Sequence, residues 1–233
     1  MMAGKCRLEL RTGGSGSFKN KITLCLLLVL AVVSLVGCNI FIDNRDDPTP
    51  TFEVQIVSDD TADGDIELTA SSMYTISSAL DTGNVLAGID PESGDEFRGF
   101  LDFPLRGSQG VPLDATIESA TLEIFISGTS VSSSDRVMPF IIDLVAFQPP
   151  VISEDDFNRL LRPTILSMPF DFYPSDAGAT VIIDVTSLMD EAQNQGLPDF
   201  QLRFLLDFSA DSGLIEIDDN DLETAPLLTI SYS

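Results

Sequence analysis

The chain of 233 residues has no His, no Trp and three Cys, and sets 12 Lys+Arg against 37 Asp+Glu for a net charge of −25. Without His there is no Ser-His-Asp or Cys-His relay, no imidazole general base and no His-ligated zinc. The length and the 44% hydrophobic content fit one packed domain plus a short extra segment, not a disordered acidic tail.

The charge is unevenly spread. Lys5, Arg7, Arg11, Lys19 and Lys21 open the chain with one acid, Glu9, and an apolar run of 15 residues follows from Ile22 to Val36. A spanning helix needs about 20 such residues, so the segment reads as a secretory signal with a basic start and an apolar core. It ends in Leu35-Val36-Gly37-Cys38, which resembles the lipobox of bacterial lipoproteins. The resemblance implies that residues 1–37 are a lipoprotein signal peptide and that lipid on Cys38 holds the mature chain to a membrane. The competing reading is an ordinary anchor helix that contains a Cys. Cys6 and Cys25 fall in the part to be removed, which leaves no pair for a disulfide. Asn39 is not the Asp that retains lipoproteins in the inner membrane of enteric bacteria, so the expected location is the outer membrane or cell surface.

Residues 38–51 carry Asp46-Asp47-Pro48 and Pro50 without periodicity and read as the lipidated Cys and a tether. From Phe52 the period changes to two. Phe52, Val54 and Ile56 alternate with polar neighbours, as do Ala120, Leu122, Ile124 and Ile126, and the series Phe200, Leu202, Phe204, Leu206 and Phe208 predicts one strongly apolar sheet face. Further strands are expected at 66–70, 98–103, 138–147, 180–185, 214–218 and 227–232. Ser153-Glu154-Asp155-Asp156 has the form of a capping box before Phe157, and a second short helix from Ser187 stops at Gly196. Strands that outnumber helices and do not alternate with them predict an all-β domain over residues 52–233.

Arg98 to Leu105 (RGFLDFPL) followed by Ile117 to Ile124 (IESATLEI), the step Ile183-Asp184-Val185-Thr186, and the closing Ala225 to Tyr232 (APLLTISY) together resemble the signature of DNRLRE-type domains. The resemblance spans nearly the whole mature chain. It implies a jelly-roll β-sandwich, here with the two short helices, of a kind common on secreted and surface proteins of bacteria, some members of which act as carbohydrate-binding modules for polysaccharides such as alginate. The chain departs from such binders in having no Trp and no Lys after Lys21.

Residues 38–233 keep seven Arg, no Lys and 36 acids, a net charge of −29. Such a surface repels nucleic acid and anionic headgroups, and fits ion-rich surroundings that screen its self-repulsion. Asp59, Asp60, Asp63 and Asp65 beside Gly64, and Asp218, Asp219 and Asp221 before the last strand, offer the hard oxygen ligands that Ca2+ takes. The same runs also suit solvated turns. The first is not an EF-hand, because Ala70 stands in its twelfth place. Tyr74 and Tyr173, expected in irregular segments, and Arg159 and Arg162, three apart on the first short helix, are the candidate ligand-binding residues. Phe125 points to the outer face by parity and is expected under a loop. No Gly-x-Ser-x-Gly, phosphate-cradling loop or Cys/His metal set occurs, and carboxylate pairs are uninformative among so many acids, so no enzyme activity is expected. Two functions stay open: a surface-anchored glycan-binding lipoprotein, and a structural or adhesive envelope scaffold with no sugar ligand. Oligomeric state is not legible.

Overall fold

The computed structural model describes residues 50–107, 110–132, 137–147 and 152–233; the expected signal peptide, Cys38 and most of the expected tether lie outside the described residues. Residues Thr49–Ser233 form one compact unit. Its twelve strands are β1 (Phe52–Val57), β2 (Gly64–Leu68), β3 (Tyr74–Ser78), β4 (Asn84–Ile89), β5 (Glu96–Pro104), β6 (Ile117–Ser130), β7 (Met138–Val145), β8 (Leu166–Phe172), β9 (Ala179–Asp184), β10 (Asp199–Leu206), β11 (Gly213–Asp218) and β12 (Leu227–Tyr232). Among the described residues three short helices interrupt them, α1 (Ala79–Thr82), α2 (Glu154–Phe157) and α3 (Thr186–Gln195), together with a 3-10 turn at Pro174–Asp176.

Every pairing is antiparallel, and the strands follow the path β1-β12-β6-β11-β4-β5-β10-β7-β8. β9 takes the second edge of β6, and β2 with β3 takes the second edge of β5. The sheet curls until β1-β12-β6-β9 faces β3-β2-β5-β10-β7-β8, with β4 and β11 bridging the two. The fold is all-β and sandwich-like, as the alternating pattern predicts.

Parity explains the core. Ala120, Leu122, Ile124 and Ile126 of β6 and Phe200, Leu202 and Phe204 of β10 are wholly buried and meet in one cluster with Leu101, Phe103, Phe140 and Ile142. Each large side chain contributes roughly 1.5–3 kcal/mol on burial. The bridge needs a glycine at 88. Gly88 has φ +119°, and a Cβ there would lie 1.9 Å from the Gly213 carbonyl oxygen of β11.

Two residues differ from the sequence-based expectation. Phe208 does not extend β10, which ends at Leu206; it is 71% exposed in the following loop. Tyr74 is not in an irregular segment but opens β3, whereas Tyr173 does stand outside the strands, just before the 3-10 turn. On the outer face of β10, Gln201, Arg203 and Leu205 are buried as well. Both predicted helices form, but the first ends at Phe157, so Arg159 and Arg162 stand in the turn that follows and not on a helix. The Ser153 capping box closes on Asp156, and α3 stops at Gly196 with φ 62°. Phe125 is half-buried and lines one hollow with Leu222, Glu223, Thr224 and Ala225.

Candidate functional site

A second, smaller apolar cluster lies on the outer face of the larger sheet. Ile66, Phe100, Val145 and Phe147 are covered there by Ile152 and Phe157. Polar residues on the strands hold this cover in place. The register sets Phe100, Arg203, Asp143 and Ser167 in one row across β5, β10, β7 and β8. Arg203 donates to Asp143 Oδ2 at 2.7 Å through Nη2 and to the Asp156 carbonyl at 2.9 Å through Nη1, so a sheet residue grips α2 directly. Burial lowers the Arg203 pKa, and the hydrogen bond and charge of Asp143 oppose that shift. Asp156 accepts from the Ser153 N–H and hydroxyl, both at 2.8 Å, and from Arg162 Nε.

This scaffold ends in a hollow of about 270 Å³ lined by Tyr74, Arg98, Phe157, Asn158, Arg159 and Phe208. Tyr74 meets the Phe157 ring edge-on with centroids 5.3 Å apart. Beneath that ring, Arg98 Cζ lies 4.0 Å from the centroid, and its guanidinium is occupied by Glu96 Oε1 and the Phe157 carbonyl. Arg98 thus braces the aromatic platform. Arg159 spends Nη2 on Asp143 Oδ1 at 2.9 Å and Ser167 Oγ at 3.0 Å, and Nε on Thr164 Oγ1 at 3.2 Å. Among the described residues its Nη1 and the Asn158 Nδ2 make no hydrogen bond, while Asn158 Oδ1 accepts from the Leu160 N–H at 2.8 Å. Two accessible rings, Tyr74 at 37% and Phe208 at 71% exposure, therefore flank two spare N–H donors. Ring faces with nearby forked donors suit flat, hydroxyl-rich ligands. Larger hollows of about 420 and 490 Å³ around Arg106 contain no such pair of rings.

Of the four ligand-binding candidates, Tyr74 and Arg159 come together in this hollow. Arg162 turns to Asp156 and to the Ala146 carbonyl, 3.0 Å away, and serves the cover. Tyr173 stands apart at the end of β8, its N–H bonded to Asp176 Oδ2 at 2.8 Å. Phe157, Asn158 and Phe208 carried no sequence signal for this role, since strand parity assigns Phe208 to the core.

The acidic candidates divide in the same way. Asp63 and Asp219, 156 positions apart in sequence, become electrostatic neighbours. Burial and then Asp219 push Asp63 well above the usual carboxylate range, and burial and then Asp60 push Asp219 up to about 6. Asp65 is buried beside the Leu86 N–H, at 3.2 Å from its Oδ2, and burial lifts it to about 6. Asp59 Oδ1 accepts from the Thr61 N–H and hydroxyl, and Asp218 Oδ1 from the Asn220 N–H, as in ordinary Asx turns. Asp60 and Asp221 are exposed. Among the described residues no three carboxylates converge as a metal-holding set.

No family model matches the chain, and no curated protein matches it, so the DNRLRE resemblance rests on the quoted motifs.

Proposed function

We propose that the protein is an exported lipoprotein, anchored through Cys38 at the outer membrane or cell surface, whose β-sandwich domain binds extracellular glycan without catalysing a reaction. The observation that supports the binding role is the pairing of the Tyr74 and Phe208 rings with the Arg159 and Asn158 donors in one hollow. The ligand class follows from charge. Arg98 and Arg159 are already matched by Glu96 and Asp143, and the mature chain carries −29. The hollow therefore suits a polysaccharide read through its hydroxyl groups and ring faces, and polyanions are repelled.

A glycan array probed with the purified protein tests this reading. Reproducible binding to neutral polysaccharide, lost in Tyr74→Ala, supports the module. No glycan binding, together with envelope proteins recovered by crosslinking on cells, supports the adhesive scaffold instead. The anchor has its own test: Cys38→Ser releases the protein from membranes, and an uncleaved, membrane-bound variant refutes lipidation.

A further inference from the structure

The two Asp-rich turns meet where β11 gives way to β12. Asp218 pairs with Asn84 of β4, and Leu227 pairs with Val57 of β1. Residues 219–226 therefore leave the ladder at the level where the chain leaves β1 for the turn that contains Asp63. Backbone bonds fix both turns: the Asp219 N–H donates to the Gly83 carbonyl at 2.9 Å, and the Ala79 N–H donates to the Asp63 carbonyl at 2.9 Å. One oxygen of each carboxylate is satisfied, Asp63 Oδ1 by the Asp102 N–H at 2.6 Å and Asp219 Oδ1 by the Ser58 hydroxyl at 3.4 Å.

The other two oxygens, Asp63 Oδ2 and Asp219 Oδ2, are buried in residues 1% and 7% exposed; the two carboxyls lie within hydrogen-bond reach of one another, Ser58 stands beside both, and among the described residues no N–H or further O–H group satisfies these oxygens. Buried acceptors are ordinarily satisfied, and two like charges in a poorly hydrated site repel. Among the described residues no cation answers them. No Lys follows Lys21, and the described arginines 98, 106, 159, 162 and 203 donate elsewhere. Asp60 adds further negative potential beside Asp219.

We propose that Asp63 and Asp219 jointly bind one divalent cation of the calcium type, which ties the β1–β2 turn to the β11–β12 turn. Calcium takes six to eight oxygen ligands in flexible geometry, so two carboxylates can be completed by the Ser58 hydroxyl, turn carbonyls and water. Magnesium suits the site poorly, because it demands octahedral geometry and dehydrates reluctantly. The site unites one Asp from each sequence cluster and leaves out Asp65 and Asp221.

The test is calorimetric titration of CaCl2 into the full chain, solubilised in detergent and stripped with EDTA at pH 7.5, with thermal melts of the same samples. One high-affinity site per chain is expected, with Tm rising by roughly 5–10 °C when free calcium is about 100-fold above Kd. Asp219→Asn and Asp63→Asn each weaken binding by at least ~10-fold and abolish the Tm rise, whereas Asp65→Asn and Asp221→Asn keep both. Asp219 lies in a turn, so its variant remains informative if Asp63→Asn does not fold. Stoichiometric binding that survives Asp219→Asn overturns the site. A wild-type chain indifferent to millimolar calcium also overturns it.

Discussion

Arg203 of β10 stands directly across the ladder from Asp143 of β7, and their wholly buried side chains share a 2.7 Å hydrogen bond from Nη2 to Oδ2. Asp143 also accepts from Arg159, Thr164 and Ser167, so one carboxylate anchors both the sheet cation and the cover. Asp143→Ala leaves Arg203 charged and unpaired, with an expected loss of about 3–5 kcal/mol in urea unfolding. Arg203→Met combined with Asp143→Leu costs less than the sum of the single changes, because no orphaned charge remains.

The rings of the hollow separate binding from stability. Phe208 is 71% exposed, so Phe208→Ala is expected to change unfolding free energy by no more than about 0.5 kcal/mol. The same change is expected to weaken polysaccharide binding by about tenfold in affinity electrophoresis, because a stacking face is lost. Equal retention of wild type and variant in a polysaccharide gel would remove Phe208 from the site.

Asp184 gives a pH dependence with a definite sign. The hydroxyl and N–H of Thr186, at 2.6 and 3.0 Å, hold its carboxyl below the usual range. A carboxyl with a depressed folded pKa contributes stability above its unfolded pKa and loses it as pH falls through the folded value. Asp184→Asn is therefore expected to flatten the loss of Tm between about pH 5 and pH 2. Thr186 also receives the Ala120 N–H at 3.0 Å, so Thr186→Ala is expected to destabilise by about 1–2 kcal/mol at neutral pH.

Gly88→Ala tests the bridge between the two halves of the sheet. The new Cβ collides with the Gly213 carbonyl at a positive φ, and neither backbone can yield without breaking the β4–β11 ladder. A cost of at least ~2 kcal/mol in chemical unfolding is expected.

Strands with period-two burial were legible because one face of each enters the core; β6 and the inward face of β10 follow parity closely. The strands missed by sequence reasoning each lack that signal for a physical reason. β8 carries Pro169, which is tolerated on an edge strand, β3 is largely exposed, and β4 carries Ala87 and Gly88, small residues that weaken its apolar alternation. The hollow was only half legible. Tyr74 and Arg159 stand out by chemistry, but Phe208 joins them only because β10 ends at Leu206 and the loop turns outward. The pairing of Asp63 with Asp219 was invisible for another reason, since long-range sheet closure, not local sequence, brings the two turns together.

The same closure sets an order of events. β12 lies between β1 and β6, so the first strand has no hydrogen-bonding neighbour until residues 227–232 have arrived. A chain emerging residue by residue cannot complete this sheet until its last strand is delivered, and nonlocal closure of this kind is intrinsically slow.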